Sequence, residues 1–113
     1  MGLTEELPVY KASYDLLLTI FHLSKNFQKD YKYTIGESLK NEVVSMVTSI
    51  YRANSSADKS GHLQKARESV EVVRLYVRLL KDLHQISVKQ VVNINVHVEN
   101  ISKQLTGWQK AQK

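Results

Sequence analysis

Three arginines and one lysine recur at helical spacing in the stretch RESVEVVRLYVRLLK, residues 67–81. With about 3.6 residues per turn, they fall within an arc of roughly 60° and extend over about 21 Å. The nearest acidic residues, Glu71 and Asp82, lie just outside this arc. Because guanidinium groups donate paired hydrogen bonds to phosphates, the spacing predicts a phosphate-binding row that consists of Arg67, Arg74, Arg78 and Lys81.

The last predicted helix adds a weaker basic row, in which Lys89, Lys103 and Lys110 fall on one side. The alternative for both rows is an ordinary solvated face, which Lys and Arg often form. Such faces usually mix charge signs, so we favour nucleic-acid binding. Tyr76 and Trp108 could stack on bases, but they lie on apolar faces and are expected in the core or an interface. The predicted nucleic-acid-binding residues are Arg67, Arg74, Arg78, Lys81, Lys89 and Lys103.

The distribution of charge also favours a polyanionic partner. Of the net charge of +5, residues 1–56 contribute nothing, because six Lys/Arg balance six Asp/Glu. Residues 57–113 carry ten Lys/Arg and five Asp/Glu, so the whole excess lies in the second half. No recognition motif such as an RRM or a zinc finger is present. We therefore expect RNA or DNA to be bound without sequence-specific readout.

Residues that could support catalysis or metal binding are not arranged in the required patterns. No histidine has an Asp or Glu three residues away, so the Glu-x-x-His pattern of di-iron bundles is missing. No two glycines lie close enough to form a phosphate loop, and no cysteine is present. We predict a protein that is not an enzyme and that has no catalytic residues, metal or cofactor.

The N-terminal stretch MGLTEELPVY is acidic where a signal peptide would be basic. The longest clearly aliphatic run, residues 16–18, is far too short for a membrane span. The sequence therefore predicts a cytoplasmic protein without a membrane partner.

Three polar breaks, at residues 26–33, 53–61 and 84–87, divide the chain into four segments. Only one proline and four glycines occur, which leaves little turn signal for an all-β fold. The sequence predicts an all-α fold, an antiparallel up-down four-helix bundle in a single domain, 1–113. Its helices are expected at about 8–27, 34–53, 58–84 and 87–109.

Local signals support the helix starts, with Pro8 suited to a first turn. Thr34 with Glu37, and Ser87 with Gln90, have the spacing of capping boxes. The segment VNINVHV alternates in the manner of a strand, but a lone strand would have no partner. A helical stripe also runs through this last segment, so we predict a helix there; the stripe contains Val91, Ile94, Val98, Ile101, Leu105 and Trp108.

Two predicted helices carry more apolar surface than one core-facing stripe requires. The first helix has one stripe of Tyr10, Tyr14, Leu17 and Phe21, and another of Leu16, Ile20, Leu23 and Phe27. The third helix has a core stripe from Leu63 to Leu80 and a second stripe from Val72 to Leu83. The excess is explained either by several neighbouring helices or by contact with another subunit, and we favour the subunit. The predicted interface residues are Leu16, Ile20, Leu23, Val72, Tyr76 and Leu79.

Several segments together resemble the Avd family, the accessory variability determinants of diversity-generating retroelements. They are LPVYKASYDLLLTIFHLSKNF, DYKYTIGESLKNE, IYRANS, the arginine-rich third helix and QLTGW. The resemblance extends from about Leu7 to Trp108. A broader set of four-helix-bundle proteins, encoded in intervening sequences of ribosomal RNA genes, is similar in architecture.

The resemblance implies a four-helix bundle that assembles into a barrel-shaped homopentamer. It also implies a non-catalytic accessory protein that binds RNA or DNA through a basic surface. The implied protein partner is the reverse transcriptase of the retroelement, whose mutagenic cDNA synthesis it supports. The alternative is an oligomeric scaffold that docks an acidic protein partner without binding nucleic acid.

Overall fold

Helices form all of the regular structure in residues 4–112, the part of the chain that the computed structural model describes. A short 3-10 turn at Thr4–Glu6 precedes the first α-helix. Four helices are long, and α2 is a single turn inside the connection between α1 and α3. The helices are α1 (Pro8–Ser24), α2 (Lys29–Lys32), α3 (Ile35–Ser55), α4 (Ser60–Asp82) and α5 (Val88–Ala111).

The four long helices form a bundle in which α1 and α4 occupy diagonal corners. Each of these two helices packs against both α3 and α5. The short connections reverse the chain direction between successive long helices, and the molecule measures 43 × 22 × 21 Å. The α1–α3 side of the bundle therefore lies opposite the α4–α5 side.

The core is aliphatic and follows the predicted helical stripes of α4 and α5, together with an apolar side of α3. In α4 the stripe from Leu63 to Leu80 is fully buried, with Ala66 and Val73 completely inaccessible. The ambiguous segment VNINVHV lies within α5, and its Ile94 and Val98 point into the core. The helical prediction for this segment is confirmed, because burial against α1 and α4 outweighs the strand propensity of its β-branched residues.

Helix α1 is rotated differently from the prediction. The stripe assigned to a neighbouring subunit faces its own core: Leu16 is 0% exposed and Ile20 is 2% exposed. Small buried serines at 13 and 24 flank this stripe, and their hydroxyls donate to carbonyls of the same helix. The stripe with small neighbours packs inward. Of the other stripe, Tyr10 and Leu17 pack against the edge of the core, and Tyr14 and Phe21 are exposed. The assignment of Leu16 and Ile20 to a subunit interface is wrong.

The connection between α1 and α3 is longer than the predicted helix ends suggest, and its chain folds back against the bundle. Helix α1 ends at Ser24 instead of continuing to residue 27, yet Phe27 is buried beneath the connection. The predicted capping box at Thr34 is wrong, because its hydroxyl donates to the carbonyl of Asp30 over 2.7 Å. A Cβ on Gly36 would lie 3.0 Å from the carbonyl oxygen of Tyr31, which is tighter than an ordinary contact, so a larger residue here would push the connection outward by a few tenths of an ångström.

The connection between α4 and α5 is set by backbone hydrogen bonds and a cap. The N–H of Gln85 donates to the carbonyl of Leu80, and the N–H of His84 to that of Lys81, which is a Schellman motif. The capping box at Ser87 is confirmed: its hydroxyl accepts from the N–H of Gln90, and the Gln90 side chain accepts from the N–H of Ser87.

Candidate nucleic-acid interface

The predicted basic row lies along the side of α4 that packs against α5. Arg67 donates to the Gln109 side chain of α5, and Arg74 donates to Glu99 of the same helix. Nearer the end of α4, Arg78 and Lys81 line a groove that α5 completes. The α5 residues in this groove include Val91 and Asn95. We call this surface, from Arg67 to Lys81 along the junction of the two helices, the α4–α5 groove.

Arg74 differs from the other members of the row because carboxylates neutralise it. Its Nη1 lies 2.6 Å from Oε1 of Glu99, and its Nε lies 3.3 Å from Oε2 of Glu71. The expectation that the row is free of acidic residues is therefore wrong. Two carboxylates hold the guanidinium between α4 and α5, so Arg74 joins the helices and has little unpaired charge to offer a phosphate.

Arg67 has a neutral amide as its hydrogen-bond partner and no ion pair within residues 4–112, although Glu68 and Glu71 line the same cavity. The guanidinium Nη1 donates to Oε1 of Gln109, and the Gln109 amide donates to Oε1 of Gln64 over 3.1 Å. This chain of hydrogen bonds orients the guanidinium over the groove. A phosphate that replaces the amide as acceptor would convert a neutral hydrogen bond into a charge-assisted one, which is stronger.

Arg78 and Lys81 are the most accessible cations of the groove. The side chain of Arg78 is 83% exposed, and its Nε lies 4.0 Å from an oxygen of exposed Asp82. An ion pair this long and this exposed contributes little free energy. Lys81 is exposed and has no ion pair within residues 4–112. Both side chains are therefore free to reorient toward a phosphate.

The two lysines predicted on α5 do not join this groove. Lys89 is exposed in the first turn of α5. Lys103 is exposed further along the helix, in a shallow depression that also contains Val92 and Val96. Lys103 therefore extends the basic surface around α5, whereas Lys89 lies at the end of the bundle, beside the α4–α5 connection.

The remaining predicted interface residues are divided between the core and the surface. Leu23 and Tyr76 are half-buried and pack against the core, so Tyr76 offers no free ring for base stacking. Val72 is also half-buried, and Leu79 is 37% exposed. Trp108 packs against the core as well.

An exposed apolar surface lies on the opposite side of the bundle from the groove. The interface residues predicted from the sequence do not include it. It comprises the exposed side of α1 and the adjoining part of α3. The Nζ atom of Lys40 lies 5.0 Å from the centroid of the Phe21 ring, which places the outer edge of α1 beside α3. We call this surface the α1–α3 face, and its exposed members are Tyr14, Leu18, Phe21, Val44 and Tyr51.

Sequence reasoning also missed a basic and aromatic segment next to the groove. Residues 25–33 contain three lysines and two tyrosines, and the structure places this connection against the one that follows Lys81. The KDYKY pattern could have drawn attention to it, but its position next to α4 depends on the fold.

Within residues 4–112, no group of three or more His, Asp or Glu side chains could hold a metal ion.

The fold and the groove define a class of protein: a four-helix bundle with a cationic surface on one side and an apolar surface on the other. A family model described as bAvd-like matches residues 8–112 of this chain. The chain belongs to the bAvd-like family, and the resemblance to Avd is confirmed. A comparison with curated proteins gives no match. Within residues 4–112, no helix has both the length and the apolarity of a membrane span.

Proposed function

We propose that this protein is a non-catalytic accessory subunit of a diversity-generating retroelement that binds RNA or DNA through the α4–α5 groove. Membership of the bAvd-like family supports an accessory role of the Avd type. The observation that carries the nucleic-acid proposal is the row of Arg67, Arg78 and Lys81. Nearby carboxylates leave the charges of these three side chains largely unneutralised. In this proposal the protein supports mutagenic cDNA synthesis by the reverse transcriptase.

The groove binds the phosphate backbone through charge. Arg67 and Arg78 donate to phosphate oxygens, and Lys81 contributes a mobile positive charge. Contacts of this kind carry no sequence information, so binding is tolerant of sequence. Each phosphate that is neutralised releases counterions, and affinity therefore falls steeply as salt is raised.

Assembly into a homopentamer multiplies these contacts. We propose that the α1–α3 face forms the subunit contact, because it leaves Tyr14, Leu18 and Phe21 exposed on one helix. Exposed apolar patches of this kind mark interaction sites. A ring of five copies is head-to-tail, so the α1–α3 face contacts a different surface of the next bundle. The proposal requires that this second surface leave the groove, on the opposite side from the α1–α3 face, uncovered. Several grooves on one particle then bind one strand more tightly than a single groove does.

Light scattering coupled to size-exclusion chromatography tests the assembly. The proposal predicts a mass five times the 13.0 kDa of the chain. Leu18→Glu places a charge in the α1–α3 face and is expected to lower the mass. Lys65→Glu changes an exposed residue of α4, outside that face, and serves as the control. A wild-type particle with the mass of one chain would contradict the homopentamer.

A gel-shift experiment tests the binding proposal. A variant with Arg67, Arg78 and Lys81 replaced by Gln is expected to bind RNA and DNA weakly. The matched control replaces Lys11, Arg52 and Lys65 by Gln, which removes the same charge from exposed positions outside the groove. Equal affinities of the two variants would contradict the groove assignment. No binding by the wild-type protein would favour the alternative, a scaffold that docks an acidic protein.

Co-purification tests the association with the reverse transcriptase. The proposal expects a reverse transcriptase from the same retroelement to co-elute with the wild-type protein and to remain bound after nuclease treatment. Loss of the complex on nuclease treatment would show that nucleic acid bridges the two proteins, and would contradict direct association.

A further inference from the structure

A second cationic surface lies at the end of the bundle where α1 joins α3 and α4 joins α5. The backbone N–H of Gln28 donates to Oε1 of Gln85 over 2.7 Å, so the two connections touch. The Gln85 amide in turn donates to the carbonyl of Leu83 over 3.0 Å, which fixes its orientation. We call this surface, formed by residues 25–34 and 81–89, the loop end.

Lysines outnumber acidic residues at the loop end. Only Asp30 and Asp82 oppose them, and the nearest cation to Asp82 is Arg78, at 4.0 Å. Across residues 4–112, none of these lysines forms an ion pair with a carboxylate. Their charges are therefore available to an anionic ligand; the lysines are Lys25, Lys29, Lys32, Lys81 and Lys89.

An aromatic ring stands exposed among these lysines. Tyr33 is 65% exposed, which is more than any other aromatic residue in the described part of the chain. The Nζ atom of Lys32 lies 5.8 Å from the centroid of its ring. Exposed rings beside basic side chains are the combination by which proteins bind single-stranded nucleic acid, because a base stacks on the ring while the cations hold the backbone.

The ring is carried by a well-anchored turn. The Thr34 hydroxyl donates to the carbonyl of Asp30 over 2.7 Å, and Phe27 is buried underneath. The close approach of Gly36 to the carbonyl of Tyr31 packs the turn onto α3. A fixed platform loses little conformational entropy on binding, which favours affinity.

We propose that the loop end is a stacking site for single-stranded nucleic acid. Tyr33 stacks on one base, Lys29 and Lys32 hold the phosphates beside it, and Lys81 belongs to both the loop end and the α4–α5 groove. A strand that leaves the groove therefore continues onto Tyr33. The inference rests on the proposed nucleic-acid binding and adds a preference for unpaired bases, because bases inside a duplex cannot stack on a protein ring.

Fluorescence anisotropy with a labelled oligouridylate, and with an RNA duplex of the same length, tests the site. Tyr33→Ala is expected to lower single-strand affinity roughly five- to a hundred-fold and to leave duplex affinity unchanged. Tyr33→Phe keeps the ring and is expected to bind as the wild-type protein does. Leu75→Ala removes a 63% exposed apolar side chain from α4, outside both the loop end and the α1–α3 face, and serves as the control.

The outcomes separate this inference from the proposed function. If the wild-type protein binds neither RNA, both are wrong. If it binds and Tyr33→Ala leaves single-strand affinity unchanged, the stacking site is wrong and the groove stands. An independent readout comes from Tyr33→Trp, because stacking quenches indole emission. Quenching by the single strand and not by the duplex is expected, and equal emission with both would overturn the inference.

Discussion

Arg74 and Glu99 form a 2.6 Å ion pair that joins α4 to α5 in the middle of the basic groove. Glu71 adds a second carboxylate to the same guanidinium at 3.3 Å. The acidic residues thus neutralise the central cation of the row and leave Arg67 on one side and Arg78 on the other. The groove therefore offers two separated cationic patches, and Arg74 contributes to structure more than to ligand binding.

Removal of the Glu99 charge is expected to strengthen nucleic-acid binding. Glu99→Gln leaves Arg74 with a single carboxylate partner, so its guanidinium can turn toward a phosphate. We expect an affinity gain of about two- to five-fold at low salt, as for one added electrostatic contact in exposed surroundings. Asp15→Asn makes the same charge change at an exposed site on α1, which is outside the groove, and serves as the control. Equal gains in both variants would mean that only net charge matters.

Lys59 is expected to stabilise the protein by capping α3. Its Nζ donates to the carbonyls of Ala53 at 2.9 Å and Ser56 at 2.7 Å, which the helix leaves without partners. Lys59→Met removes these bonds and should lower the free energy of unfolding by about 1–2 kcal/mol. Chemical denaturation measures the change. Lys65→Met, at an exposed position on α4, is expected to change stability by less than about 0.5 kcal/mol.

His84 is expected to be a site where glycine increases stability. Its φ of 61° is the one positive value at a non-glycine residue in the described chain. A Cβ is disfavoured in this left-handed conformation, so His84→Gly should raise the free energy of unfolding by about 0.5–1 kcal/mol. His84→Ala keeps the Cβ and should give no such gain. A thermal unfolding series compares the three proteins, and a less stable glycine variant would contradict the expectation.

The glycines are expected to respond to alanine in opposite directions. Gly36→Ala places a Cβ 3.0 Å from the Tyr31 carbonyl oxygen and 3.2 Å from the Phe27 ring, so it should destabilise by about 1–3 kcal/mol. Gly61 and Gly107 are helical, and a Cβ at either position meets nothing within 4 Å. Alanine at either should stabilise by up to about 1 kcal/mol. Denaturant midpoints measure all three, and a stable Gly36→Ala variant would contradict the packing described.

Much of the fold follows from the hydrophobic pattern. In α4 the stripe from Leu63 to Leu80 runs the length of the helix, whereas the second stripe begins only at Val72, so the pattern favours the first stripe as the core. In α1 both stripes are apolar, and the pattern does not decide which one faces inward. The outcome depends on Ser13 and Ser24, whose small side chains allow the inner stripe to approach its neighbours.

The candidate site is less predictable, because its defining contacts join distant segments. Glu99 lies 25 residues from Arg74 in the sequence, so their pairing depends on the register of α4 against α5. Likewise, only the fold brings Gln28 to Gln85, and with it Tyr33 to the same end of the bundle as Lys81. Residue spacing within one helix identifies the row of cations, but not which of them are neutralised.

The salt dependence of binding tests the central claim, that the α4–α5 groove holds phosphates, most directly. The logarithm of the association constant for single-stranded RNA is measured against the logarithm of salt concentration. Each cation that contacts a phosphate contributes a slope of about −0.7 on a single strand. Replacing Arg67, Arg78 and Lys81 by Gln is therefore expected to flatten the slope by about 2. The control variant at Lys11, Arg52 and Lys65 should keep the wild-type slope. Identical slopes for the groove variant and the wild-type protein would contradict the claim.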